Sequence, residues 1–348
     1  MYFIYSASIV FCTNTYLNKI FMKILLVDVD SKIPNLALMK LSSHYKSIGF
    51  DVDVKRLNIS YYPNRRKLKY VDASGYYKVF VSAIFFDSPR FVNIKNAHNI
   101  QYGGTGYSIS TKLPDYIEKY EPDYSIYPDN KNSYGFLTRG CIRNCPFCLV
   151  PEKEGWIHQV STVDDIVKHK KTYFLDNNIL ALDGHKDILR ELRDKKIHCQ
   201  FNQGLDIRLL DDENAKLLSE IKYLGEYIFA FDYIKLEKIV TRKLNLFRKY
   251  FDKEWRIKFF IYCDADAPIR DVIYRLNWCK NQKVLPYLMR NINCWNSVNH
   301  PFYTDLAAYC NQPNIWKKMN PDEYITKRQP KNKKRQEIFL SHWNIKGK

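Results

Sequence analysis

Between Tyr134 and Leu288, short apolar segments begin every 25–38 residues, with helix-type segments between them. The apolar segments are Tyr134–Thr138, Thr172–Leu175, Ile197–Asn202, Tyr227–Phe231, Arg256–Cys263 and Val284–Leu288. Thr162 followed by Asp165 reads as a helix-opening capping box. Ile188, Leu189 and Leu192 mark a second helix, and Ala215–Ile221 lies in a third. Further helices are expected over about 235–250 and 269–281. Parallel strands need crossovers of a dozen or more residues, usually helical, and this spacing provides them. Six βα units in a row, and hence a parallel sheet, are the expectation.

Ahead of the array stands a second pattern. Residues 23–29 form a continuous apolar strand of the kind buried on both faces. Pro34 suits a helix start. Leu36, Leu38, Leu41, Tyr45 and Ile48 then follow at helical spacing, and Gly49 closes the helix. Asp51–Leu57 and Tyr77–Phe85 are further strands. The β-α-β-β order describes a small open α/β (Rossmann-like) domain over about 22–125. Gly103-Gly104-Thr105-Gly106-Tyr107 reads either as a tight turn needing positive φ or as a backbone cradle for a phosphate. Residues 110–133, with Pro114, Pro122 and Pro128, read as a connection. Residues 1–21 lack the positive segment of a signal peptide and are too interrupted for a membrane span. They are expected to be a non-native extension, with Met22 as the true start.

The first strand of the array runs into Thr138-Arg139-Gly140-Cys141-Ile142-Arg143-Asn144-Cys145-Pro146-Phe147-Cys148. Its three cysteines have C-x3-C-x2-C spacing, and no fourth cysteine or histidine follows at short range. A structural zinc site takes four protein ligands, and a ferredoxin-type cluster normally takes four thiolates. Three thiolates leave one iron of a four-iron cluster open. The other six cysteines are scattered and the total of nine is odd, which does not describe a disulfide framework. A reducing, cytoplasmic setting is expected.

This segment resembles the radical S-adenosylmethionine (radical SAM) superfamily, on Cys141, Cys145 and Cys148, on Phe147 before the last cysteine, and on the Thr138-Arg139-Gly140 lead-in. The resemblance implies a partial (βα)6 TIM-type barrel over about 134–300. It implies a [4Fe-4S] cluster on the three cysteines and S-adenosyl-L-methionine (SAM) on the open iron. It also implies reductive cleavage of SAM to a 5′-deoxyadenosyl radical that abstracts hydrogen, and an electron donor such as a flavodoxin or ferredoxin. Phe147 matches the family position that packs near the adenine. The N-terminal domain resembles the cobalamin-binding-like domain of one branch. That branch carries a histidine in an Asp-x-His-x-x-Gly loop, whereas here the loop reads Asp28-Val29-Asp30-Ser31-Lys32-Ile33-Pro34, so cobalamin is not expected. The segment also looks like that of tRNA methylthiotransferases, but those carry a further N-terminal cluster domain, and the first 130 residues here hold only Cys12.

In barrels the site lies at the C-terminal ends of the strands. Polar residues at those ends are therefore candidates to bind SAM: Asp176 and Asn177 (with Asn178), Gln203, Asp206 and Arg208, Asp232, then Asp264, Asp266, Arg290 and Asn291. Their amides and carboxylates suit its amino group and ribose hydroxyls. Asp and Asn are equally at home as helix caps. The family's Gly-Gly-Glu element after the second strand is absent, and Tyr262-Cys263-Asp264-Ala265-Asp266 replaces its glycine-rich fifth-strand element. Arg139 and Arg143 are expected to favour thiolates. No catalytic residue is singled out.

The net charge is +18, of which residues 317–348 supply +7 (ten Lys and Arg against three Asp and Glu). An anionic substrate, such as a nucleotide or nucleic acid, fits that excess. So does a Lys-rich composition with no partner. Residues 301–348 form a basic segment, and Lys327–Arg335 reads as a solvated tail or as a phosphate contact. No membrane partner is expected. Two alternatives stay open: a zinc-loop nucleic-acid-binding protein and an iron–sulfur electron carrier.

Overall fold

The computed structural model describes residues 23–60 and 65–344. The expectation for residues 1–21 falls outside them. The chain divides into two compact units between Lys131 and Asn132.

In the first unit, β1 (Lys23–Asp28) is buried along its whole length after Lys23. Helix α1 (Leu36–Ser47) is capped by Asn35, whose side chain accepts from Leu38 N. Gly49 at φ +90° lets the chain turn out of it. Then come β2 (Asp51–Arg56), β3 (Lys69–Asp72), β4 (Lys78–Ser82), β5 (Val92–Lys95) and β6 (Ile100–Gly103). Four strands form one parallel sheet in the order β2-β1-β4-β6, and β3 pairs with β5 beside it. Of the two readings of the Gly103–Tyr107 turn, the backbone supplies the first. Gly104 has φ +84°, and a Cβ there would clash with the Ala83 carbonyl. The 28–34 loop turns its polar groups inward. Asp28 accepts from Tyr127 Oη at 2.8 Å and Ser31 N at 3.1 Å. Asp30 accepts from Ile84 N and Phe85 N.

The second unit begins with β7 (Asn132–Gly135), β8 (Thr138–Arg139), β9 (His158–Gln159), α2 (Val163–Ile166) and β10 (Lys171–Phe174). It continues with α3 (His185–Asp194), β11 (His198–Phe201), α4 (Asp212–Glu220), β12 (Lys222–Tyr223) and β13 (Tyr227–Ala230). Then follow α5 (Glu237–Arg248), β14 (Ile257–Cys263), α6 (Ile269–Asn281) and β15 (Leu285–Arg290). β7, β10 and β11 are parallel neighbours, as are β13, β14 and β15. A parallel bridge from Leu205 to Phe229 links the two sets. The result is six parallel strands in sequence order, a partial TIM-type barrel. Phe174, Phe201, Phe229 and Phe259 are fully buried between strands and helices. Thr162 and Asp165 form the expected capping box.

The C-terminal basic run is not a free tail. Helices α7 (His300–Cys310), α8 (Pro313–Lys318), α9 (Pro321–Arg328) and α10 (Lys333–Trp343) follow the barrel. α7 packs on β15, and α10 packs on α6. Asp305 of α7 is fully buried and binds Arg328 and Arg335, each through Nε at 2.6 Å. The surrounding lysines, Lys327, Lys331, Lys333 and Lys334, remain exposed. No helix of the described residues is long and apolar enough to cross a membrane.

Candidate active site

The cysteine loop is closed at its base by the antiparallel pair β8–β9, with Thr138 opposite Gln159 and Arg139 opposite His158. Cys141 N donates to Gly155 O at 3.1 Å. Gly140 has φ +82°, and a Cβ there would clash with the Trp156 backbone, so glycine is required at this crossing. The loop leaves the C-terminal end of the first barrel strand, where barrels place their chemistry.

Three consecutive residues after β10 hold this loop. Asp176, almost fully buried, accepts from Thr138 N at 2.6 Å, Thr138 Oγ1 at 2.7 Å and Leu137 N at 3.2 Å. Burial pushes its carboxyl up to about 6, against the pull of those bonds. Asn177 accepts from Gly140 N at 3.1 Å. Asn178 donates to Cys141 Sγ at 3.5 Å, and its buried Oδ1 has no partner among the described residues. Asp176 and Asn177, candidates to bind SAM, make these bonds to the loop.

Arg139 is paired with Glu154 at 3.1 Å and Arg143 with Asp206 at 2.8 Å. Their charges are therefore largely answered by carboxylates, not left for the thiols as expected. Arg208 is the cation that acts on Cys145. It shares Asp206 with Arg143 and draws the Cys145 thiol downward. Burial, reinforced by Asp232, outweighs this and raises Cys145, and burial also raises Cys148. A metal centre reverses that balance, because it binds the thiolate.

The three thiols interact electrostatically with one another. Yet among the described residues no three His, Cys, Asp or Glu side chains are grouped to hold a single metal ion. Tetrahedral zinc with bonds of 2.3 Å needs thiolates about 4 Å apart. A multi-iron cluster takes one thiolate per iron and so accepts a wider set. The donor set, three cysteines on one clamped loop, is of the kind that gives one thiolate to each of three irons.

A cavity of about 360 Å³ opens at the same end of the barrel, lined among others by Phe147, Asp232, Tyr233, Tyr262, Asp264 and Arg275. Phe147 stacks on Tyr262, with ring centroids 3.9 Å apart. Asp232 accepts from Tyr262 N at 3.3 Å, and burial raises its carboxyl while Arg275 opposes the rise. Arg275 is buried on α6 and donates to Phe231 O at 3.0 Å and Tyr262 O at 2.9 Å, tying the ends of β13 and β14 together. Asp264 accepts from Tyr262 Oη at 2.8 Å and from Asn291 at 3.2 Å.

Of the candidate residues, Cys141, Cys145, Cys148, Phe147, Asp206, Arg208, Asp232, Asp264 and Asn291 gather around the loop and cavity. Gln203 is exposed and is not a lining residue of that cavity. Arg290 lies over the Trp295 ring at 3.9 Å. Tyr262 and Arg275 were not singled out from sequence. Arg275 carried a signal, a charge on the otherwise apolar face of Val272, Leu276 and Cys279.

The second unit is a six-stranded partial barrel with a three-cysteine loop at the end of its first strand, preceded in the chain by a parallel α/β unit. Among solved structures, the chain is similar to the radical SAM methyltransferase TsrM from Kitasatospora setae, solved with tryptophan substrate and a SAM analogue bound. The TM-score is 0.54 at 13% identity, over 77% of this chain and 72% of that one. At that identity the likeness is one of fold. No protein-family model matches the chain, and no curated protein matches it.

Proposed function

We propose that this protein is a radical SAM enzyme whose Cys141, Cys145 and Cys148 hold a [4Fe-4S] cluster that binds SAM at its fourth iron. One observation carries the reading: the cysteine loop and a cavity bearing Phe147 lie together at the C-terminal ends of a six-stranded partial barrel. When bound, the cluster and SAM supply a 5′-deoxyadenosyl radical, formed by one-electron cleavage of SAM, that abstracts hydrogen from the substrate. The protein's share is placement. Asp176 and Asn177 fix the loop through Thr138 and Gly140. Arg275 fixes the ends of β13 and β14. Phe147 and Tyr262 present aromatic surface to a planar group, and Asp232 a carboxylate to hydroxyl or ammonium donors.

The electron comes from a donor such as a flavodoxin or ferredoxin, in a reducing compartment. The substrate is anionic, a nucleotide or nucleic acid, on the strength of the +18 net charge. Its phosphates would bind outside the cavity, whose lining sets Asp232, Asp264 and Asp271 against Arg275. Anaerobic reconstitution tests the reading. About four iron and four sulfide per chain are expected, with an EPR signal of the reduced cluster that changes on adding SAM. One zinc per chain, or a cluster blind to SAM, would favour the zinc loop or the electron carrier instead.

A further inference from the structure

The segment Asp176-Asn177-Asn178 straps the cysteine loop at three successive points, but its last bond differs from the others. Asp176 and Asn177 accept from backbone N–H groups of the loop. Asn178 instead gives its Nδ2–H to a sulfur, Cys141 Sγ, at 3.5 Å. It stands at the N-cap of the turn Ile179–Ala181, where an asparagine side chain ordinarily accepts from the turn's own backbone. It makes no capping bond. The side chain is 3% exposed, so the amide sits in a low-dielectric setting that strengthens what it does make. A second donor, Arg143 N, reaches the same sulfur at 3.4 Å.

We infer that Asn178 is a positioning residue that raises the reduction potential of the cluster held by Cys141. The inference rests on the cluster reading above. Reduction adds one negative charge to the cluster and its thiolates. A donor aimed at a thiolate stabilises the more negative state more than the less negative one, and hydrogen bonds to sulfur are among the levers that set cluster potentials. The amide is neutral and does not titrate, so its contribution stays constant with pH. The Arg139 and Arg143 guanidinium groups, being paired with Glu154 and Asp206, are poorly placed to do the same work.

The test is an EPR-monitored redox titration of the full chain, reconstituted anaerobically. Asn178→Leu keeps the size and removes the donor. The reduced-to-oxidised ratio at fixed potential should fall about tenfold, a shift of about 59 mV to more negative values for a one-electron couple. Gln203→Leu removes an exposed amide at a neighbouring strand end, outside the cavity, and should leave the potential unchanged. An unshifted Asn178→Leu, or an equal shift in both variants, overturns the inference. If Asn178→Leu assembles no cluster, wild-type protein carrying asparagine labelled with ¹⁵N in its side-chain amide decides. Pulsed EPR of the reduced cluster should then show a ¹⁵N coupling, and its absence overturns the inference. A wild type that binds no iron contradicts the cluster reading itself.

Discussion

Phe147 lies flat on Tyr262, with ring centroids 3.9 Å apart and planes 14° from parallel. One ring comes from the cysteine loop and the other from the end of β14, so the stack couples the two sides of the cavity. Tyr262 is itself held by bonds between its hydroxyl and Asp264 and Asn291. An aromatic pair of this kind contributes about 0.5–1.5 kcal/mol beyond its buried area.

Phe147→Ala removes one aromatic surface from the proposed SAM cavity. The loss of one aromatic contact to the ligand should weaken SAM binding by about 2- to 10-fold, with the cluster content unchanged. Anaerobic calorimetry of SAM binding to the reconstituted protein measures it. Unaltered affinity would remove Phe147 from the ligand's surroundings.

Asp176 gives a pH signature. Its carboxyl is raised from 3.8 to about 6 by burial. Below about pH 4 it is protonated in folded and unfolded chains alike, and costs nothing. Between about pH 4 and 6 the unfolded chain ionises first, so folding stability falls by about 3 kcal/mol. Above about pH 6 the loss is complete. Asp176→Asn cannot ionise. Its stability relative to wild type should therefore rise by about that amount across the window, in urea unfolding of the apoprotein at several pH values. A difference that stays flat with pH contradicts this account of the buried carboxyl.

Asp305 anchors the C-terminal helices. Removing it leaves Arg328 and Arg335 facing each other with no counter-charge. The cost should be about 2–4 kcal/mol, less than for a fully buried pair because both arginines reach solvent. Asp305→Ala should speed hydrogen exchange across α9 and α10, and trypsin should cut sooner between Lys327 and Arg335. Unchanged exchange there would show that apolar packing, with Phe339, Tyr324 and Ile325 buried, holds the helices without the ion pairs.

Five barrel strands could be read from sequence because they carry apolar, β-branched and aromatic residues at regular spacing. The first is Asn132–Gly135, two to three residues before the expected Tyr134–Thr138, its sequence Asn-Ser-Tyr-Gly having little apolar signal. Ile257–Cys263 and Tyr227–Ala230 were placed to within a residue of their ends. β3 and β5 were not found. They are four residues long and mostly polar or exposed, and their identity comes from pairing with each other. The cysteine loop was visible because its chemistry is local. The strap was only half visible. Asp176-Asn177-Asn178 stood out as polar residues at a strand end, but nothing local says that their partners lie about 38 residues earlier. The basic run misled for the same reason: the carboxylate that captures Arg328 and Arg335 is on α7, more than twenty residues upstream.

The central claim is SAM cleavage by a cluster on Cys141, Cys145 and Cys148, and product analysis tests it most directly. The full chain is reconstituted anaerobically, mixed with SAM and dithionite, and assayed for 5′-deoxyadenosine by mass-resolved chromatography. The account predicts 5′-deoxyadenosine together with methionine from the wild type, and neither from Cys145→Ala, which loses a cluster ligand. A folded wild type that carries no iron and yields no 5′-deoxyadenosine would contradict it.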